Sequence, residues 1–252
     1  MKHLDFTIDF ETCALSANAA PMMVAVVPWR RDNRRNPFAV DDEGEATEEV
    51  VSAWPDPYVG YVDLRTCVVD GFDFDPATVK WWTEKSEAAK RAVCEGLAEP
   101  VTDVLIGVLD YIRDIVAQYQ LDSICLWCQG MDIDIALLRS LARRYDIDLE
   151  DTVPHTQFRD CRTIILEGAL VRARRLHMEA VAKAETLIAG QPFPQPVVTQ
   201  QAILDEPAKA YVLFDPLPDD IAQGSEAHDA LYDALRSSWN TWQALRWMSG
   251  HE

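Results

Sequence analysis

The chain has no run of about 18 apolar residues, so no membrane-spanning helix is expected. It also shows no basic-then-apolar leader, so no signal peptide is expected and the predicted location is cytoplasmic. Its six cysteines form no regular framework, which suits reduced thiols in a reducing compartment. Cys125 and Cys128 make a C-x-x-C, but they stand in an apolar run where a strand points them to opposite faces, which argues against a zinc or redox pair. Basic residues are scarce: 23 Lys and Arg against 42 Asp and Glu, a formal net charge of -19. Such a chain has no overall attraction for phosphate backbones, and any nucleic-acid binding needs a local basic patch and bound metal. Arg30, Arg31, Arg34 and Arg35 form one such patch, and Arg172, Arg174, Arg175 and Lys183 another, although solvated surface charge is the commoner explanation of either cluster taken alone.

What the sequence does have is a strand with acids on it. In Leu4 to Thr12, Leu4, Phe6, Ile8 and Phe10 alternate with Asp5, Thr7, Asp9 and Glu11, so the apolar set takes one face and the polar set the other. Asp9 and Glu11 share a face with Cα atoms roughly 6 to 7 Å apart. Two carboxylates that close repel unless something neutralises them. From this stretch alone, an edge strand with a solvated acidic face and a cation site are both open.

Further along, Met22 to Val27 reads as a second strand and Tyr58 to Val69 as a third, making an antiparallel meander with a surface excursion over 29–57 between them. Asp75-Pro76 opens a helix that carries Trp81 and Trp82. Pro100 to Tyr119 has one broad apolar face, and Ser123 to Trp127 is apolar throughout, as suits a strand buried on both sides. In the helix predicted over Asp132 to Tyr145, Asp134 heads a stripe of Leu138, Leu141 and Tyr145, while Asp132, about 200° round the helix, is the expected N-cap. Phe158 to Ile165 reads as extended and Ala169 to Ala189 as a basic helix. The last helix, capped at Ser225, carries a stripe of small residues, Ala230, Asp233, Ala234 and Ser237, in which Asp233 is the one charge; His228 lies just before it. The expectation is one α/β domain over 1–252, with strands first and alternation afterward, helices on both faces of the sheet, and surface insertions at 29–57 and 168–224.

Asp9, Glu11, Asp134 and Asp233 are misplaced acids for one physical reason: each faces inward. Oxygen ligands of this kind suit hard cations, Mg²⁺ or Mn²⁺. Two such ions about 4 Å apart can stabilise the attacking and leaving oxygens of a phosphoryl displacement, and a histidine such as His228 can take a proton from water.

This ordered pattern resembles the DEDDh (DnaQ-like) 3′-5′ exonucleases of the ribonuclease H-like fold. Gly71-Phe72-Asp73-Phe74-Asp75-Pro76 through Trp81-Trp82, with Leu126 to Asp134 and His228-Asp229-Ala230-Leu231-Tyr232-Asp233, is similar to the phage and exodeoxyribonuclease VIII-like branch. Where the family usually has Gly-Asn this chain has Cys128-Gln129, and Ile133 stands at a usual Phe. The resemblance implies a mixed sheet of a three-strand antiparallel meander plus parallel strands. It implies that Asp9 bridges two divalent cations, that Glu11 binds one and orients water, that Asp134 helps hold the second and that Asp233 completes the first, with His228 as general base. It further implies release of nucleoside monophosphates from a single-stranded or fraying 3′ end, of DNA or RNA, with Phe10, Thr12 and the tryptophan pair as substrate contacts. It admits a homodimer, and a host-cytoplasmic location if the chain is phage-encoded. The alternative is a catalytically silent nucleic-acid or partner-binding module on the same fold; an endonuclease is disfavoured by the His-x-x-x-x-Asp spacing.

Overall fold

A computed structural model of the chain describes residues 2–39, 56–94, 96–184, 198–222 and 228–250. The acidic excursion around Asp41 to Glu49, the end of the predicted basic helix at 185–189 and the expected cap Ser225 lie outside them. By contact density the chain divides into two compact units, residues 1–160 with 217–238, and residues 161–216 with 239–252. Among the described residues no helix is long and apolar enough to cross a membrane.

The first unit is built on a six-stranded mixed sheet. Its strands are β1 (His3–Thr12), β2 (Pro21–Trp29), β3 (Tyr58–Val62), β4 (Ala98–Glu99), β5 (Ser123–Cys128) and β6 (Phe158–Asp160), in the order β4-β3-β2-β1-β5-β6. β1, β2 and β3 form the antiparallel meander; β5 runs parallel to β1, β6 to β5 and β4 to β3. This is the mixed sheet, a three-strand antiparallel meander with parallel strands beside it, that the resemblance implied. β1 is paired on both edges, so the edge-strand reading of its acids falls. Its alternation fixes the register: Ala25 lies opposite Asp9 and Met23 opposite Glu11.

Helices cover both faces. Leu4, Phe6, Ile8 and Phe10 are buried, on the face where α4 (Val101–Tyr119) lays seven buried side chains. The approach is close. A Cβ on Gly60 of β3 would come within 2.8 Å of Val104 Cγ1, and the Tyr58 hydroxyl donates to the Val104 carbonyl at 3.1 Å. On the opposite face, α9 (Ala230–Ser249) docks through its first turns. The Ser238 hydroxyl donates to Thr7 Oγ1 at 2.8 Å, and Ala230 and Ala234 are fully buried, as the small-residue stripe predicted.

Three expected boundaries move. The strand predicted to Val69 stops at Val62, because Asp63 accepts a hydrogen bond from Arg65 N–H and caps α1 (Leu64–Val69). The extended stretch predicted over Phe158 to Ile165 is a strand only to Asp160, and α6 (Cys161–Ala184) begins at once. Asp132 is not a cap: Met131–Ile135 forms a π-helical turn ahead of α5 (Ala136–Arg144), preceded by Gly130. The Asp75 cap of α2 (Pro76–Thr83) stands as predicted, accepting from the N–H groups of Ala77 and Thr78, and Ser86 caps α3 (Glu87–Ala92). One turn, α8 (Asp219–Ala222), precedes α9.

The second unit contains α6, α7 (Gln200–Asp205), a 3-10 turn at Pro207–Leu213 and the remainder of α9. Gly168 is required there, since a Cβ would meet Ala244 Cβ at 2.5 Å. Phe214 stacks on Trp247 at 4.7 Å.

Candidate active site

Five acids converge at one end of the polar face of β1. Period two aims Asp9 and Glu11 together, and α9 brings Asp233 over them, so that one oxygen from each of the three lies within 4.8 Å of the others. Asp134 arrives on the π turn, buried, and accepts from the Phe10 backbone N–H at 3.4 Å. The fifth is Asp229, also buried, whose carboxylate accepts from Leu231 N–H as the start of α9.

Crowding shows in the protonation equilibria. Burial, then the charges of Asp134, Glu11, Asp233 and Asp229, push Asp9 well above the usual carboxylate range. Burial, then Asp233, Asp134 and Asp229, push Glu11 up to about 8. Burial also raises Asp233, against the opposing pull of Arg236 and the His228 N–H, and raises Asp229. A crowded set of carboxylate oxygens in this state could hold a hard cation by the chemistry of its donors.

His228 stands beside this set on strained backbone. Its φ is 68°, a left-handed conformation that costs a non-glycine residue about 1–3 kcal/mol and persists only where the surroundings over-determine it. Its N–H donates to Asp233 Oδ2 at 3.2 Å. Its ring lies edge-on against Trp81, 4.8 Å between centroids at 80°, and near Trp82 at 6.5 Å.

Phe10 and Thr12, the expected substrate contacts, are both buried. Phe10 reaches the site through its backbone N–H, while its ring is on the Ile8 face of β1. The Thr12 hydroxyl donates to Ala14 O, and its own carbonyl accepts from the Trp82 indole at 3.0 Å. Residues that had no role in the sequence pattern hold the site in place. Gln129, one of the family departures, accepts from the Ser237 hydroxyl at 2.7 Å and so ties the end of β5 to α9 four residues past Asp233. Thr7 accepts from the Trp29 indole at 2.9 Å as well as from Ser238.

At the other end of the same face, Asp5 is a hub. Arg31 Nε donates to it at 2.8 Å and the Trp127 indole at 2.6 Å, with His3 Nε2 at 3.3 Å. Burial works to raise Asp5, but Arg31, His3 and Trp127 outweigh it and hold the carboxyl below its usual range. His3 is pushed up to about 9, chiefly by its hydrogen bond to Asp5. His3, Asp5 and Cys125 offer three atoms within 4.8 Å of one another, yet the Arg31 guanidinium already supplies the positive charge there. Arg31 is therefore a structural cation, and Arg30 pairs with Asp32 at 2.7 Å, so the first basic patch is partly committed to the chain itself.

A family model described as the Rv2179c-like 3′-5′ exoribonuclease domain matches residues 5–187, a span that includes Asp9, Glu11 and Asp134 and ends before His228 and Asp233. No curated protein matches the chain. Among solved structures, it is similar to the zinc-bound E. coli ExoI–ssDNA complex at 14% identity, over 96% of this chain and 39% of that one, with a TM-score of 0.43. It is similar to the nuclease domain of 3′hExo, a DEDDh family member bound to rAMP, at 10% identity over 99% and 93%, with a TM-score of 0.46. A third is Exonuclease I from Methylocaldum szegediense, at 16% identity over 96% and 40%, with a TM-score of 0.46. The chain thus spans about two fifths of the length of the exonuclease I structures.

Proposed function

The chain belongs to the Rv2179c-like 3′-5′ exoribonuclease domain family, and from that premise we propose that it is a metal-dependent 3′-5′ exonuclease releasing nucleoside monophosphates from the 3′ end of RNA. One observation carries the reading: three half-buried carboxylates, Asp9, Glu11 and Asp233, lie within 4.8 Å of one another, with the buried Asp134 beside them. Two divalent cations, Mg²⁺ or Mn²⁺, held by Asp9, Glu11, Asp134 and Asp233, supply when bound the positive charge that stabilises the attacking and leaving oxygens. The protein's own part is to orient and to move protons. His228 accepts the proton of the water that attacks the terminal phosphodiester, and Glu11 orients that water. The oxygen–phosphorus bond to the penultimate 3′ oxygen breaks, and the nucleotide leaves as its 5′ monophosphate. The placement within the phage and exodeoxyribonuclease VIII-like branch rests on the resemblance of Gly71 to Trp82, Leu126 to Asp134 and His228 to Asp233 to that branch.

The test is a product ladder from 5′-labelled RNA and matched DNA, with Mn²⁺ and with EDTA. The expected result is a stepwise ladder from the 3′ end, faster on RNA and absent in EDTA. Internal fragments, or identical lanes with and without metal, would refute the proposal.

A further inference from the structure

We infer that Trp81 is a positioning residue for the general base: its indole, set edge-on against His228, fixes the direction in which the imidazole faces. The inference rests on the reading of His228 as base. The backbone of His228 is pinned by its positive φ and by the N–H to Asp233, which locates its Cα but leaves the side-chain torsions to be set by neighbours. Those neighbours come from α2, some 146 residues earlier (228 minus 82). Trp82 is buried, and its indole N–H donates to the carbonyl of Thr12, so α2 is anchored to the end of the strand that carries Asp9 and Glu11. Trp81 packs on Trp82 at 5.1 Å and 85°, and Lys85 Nζ sits 3.5 Å over the Trp81 ring. Trp81 is 39% exposed, more than a core indole needs to be, yet it makes the closer of the two ring contacts to His228. The arrangement links the acids' strand, the anchoring indole, the positioning indole and the imidazole in one sequence of contacts. Misplacing a reacting group by about 1 Å can cost on the order of 100-fold in rate, so the position of this wall matters without its touching the substrate.

Steady-state kinetics on an RNA oligonucleotide with Mn²⁺ test this with Trp81→Leu and Trp81→Phe, each alone and combined with His228→Asn. Trp81→Leu is expected to lower kcat about 10- to 100-fold with KM within about twofold, on the misplacement scale above. Trp81→Phe should recover most of the rate, and Trp81→Leu should cost nothing further in the residual activity of His228→Asn. The His228 ring-proton resonances, identified by their loss in His228→Asn, should move when the indole ring current is removed in Trp81→Leu, a readout that needs no turnover. A raised KM with kcat preserved would make Trp81 a substrate contact instead and overturn the proposal, as would equal losses in both backgrounds or an unmoved resonance. If His228→Asn keeps wild-type kcat, the base assignment falls and this proposal with it. If His228→Asn is inactive while Trp81→Leu matches wild type, the positioning role alone falls.

Discussion

The polar face of β1 carries acids at both ends, and the two ends are handled in opposite ways. Asp5 is surrounded by donors and held below its usual pKa by Arg31, His3 and Trp127 despite its burial. Asp9 and Glu11, four and six residues on, are raised by burial and by every neighbouring group that shifts them. Carboxyls on the same strand face are thus supplied with donors by the chain at one end and left to crowd one another, holding their protons more tightly, at the other. Removing one partner from a completed ion network strands the other charge and is costly, whereas a cluster of carboxyls without a counter-charge costs stability until a cation completes it. Thr7, between them, bridges Trp29 and Ser238 and marks the boundary between the two environments.

Substitution at the two ends should therefore give opposite results. Asp9→Asn is expected to lower exonuclease turnover by at least about 100-fold, the scale of removing one stabilising group from a transition-state clamp. It should also raise the melting temperature measured in EDTA by a few degrees, by relieving repulsion. Asp5→Asn should do the reverse. It strands Arg31, which is 37% exposed in its side chain, at a cost of ~2–4 kcal/mol, toward the lower part of what breaking a buried pair costs. Folded Asp5→Asn protein should keep most of its turnover; urea unfolding and the ladder assay measure the two effects. If Asp9→Asn destabilises the metal-free protein, the contrast between the ends is broken.

Acid–base linkage sharpens the same comparison. Asp9, Glu11, Asp229 and Asp233 are all raised in the fold, so the folded chain binds more protons than the unfolded one. Metal-free stability from these groups must fall as pH climbs from the ordinary carboxylate range through the value of about 8 for Glu11. Asp5 acts with the opposite sign, its contribution being lost as pH falls through its lowered value. His3, raised to about 9, gives stability that is fully present below its ordinary 6.5 and lost as pH rises toward 9. Thermal melts from pH 5 to 9 in EDTA should show the decline. Saturating Mn²⁺ at about 100 Kd should add about 2.7 kcal/mol and leave only the smaller loss from His3. The smallest effect expected is that of Thr7→Val, about 1–3 kcal/mol from the Trp29 indole left without its acceptor, while the Ser238 hydroxyl keeps Ala234 O; it is seen in urea unfolding with turnover per folded molecule little changed.

Much of this was legible in the chain. The alternation of Leu4 to Glu11 shows which residues face together because period two is a local property, and the Asp75-Pro76 cap and the Asp134 stripe are local too. The hub at Asp5 was not legible, because Arg31 and Trp127, which give it meaning, lie 26 and 122 positions away. The contact of Trp81 with the His228 ring was not legible either, because the two residues lie 147 positions apart (228 minus 81). The strand predicted through Val69 failed because its β-branched content favoured strand, whereas one side chain, Asp63, supplied the cap that starts a helix instead. Asp132 looked like a cap only on ordinary α-helical geometry, and the π turn at Met131–Ile135 alters that geometry.

The convergence of Asp9 with Asp233 also bears on how the molecule comes into being. The two carboxylates lie 224 positions apart in the chain (233 minus 9), so the site is among the latest contacts that sequential synthesis permits. β1, β2 and β3 can pair as a local meander as soon as they emerge, but β1 stays open along one edge until β5 arrives more than 100 residues later. A growing chain without α9 can own most of the sheet and still lack the carboxylate that closes the triad. Assembly of the fold thus acts as a timer: the three carboxylates meet only when the helix bearing Asp233 has docked.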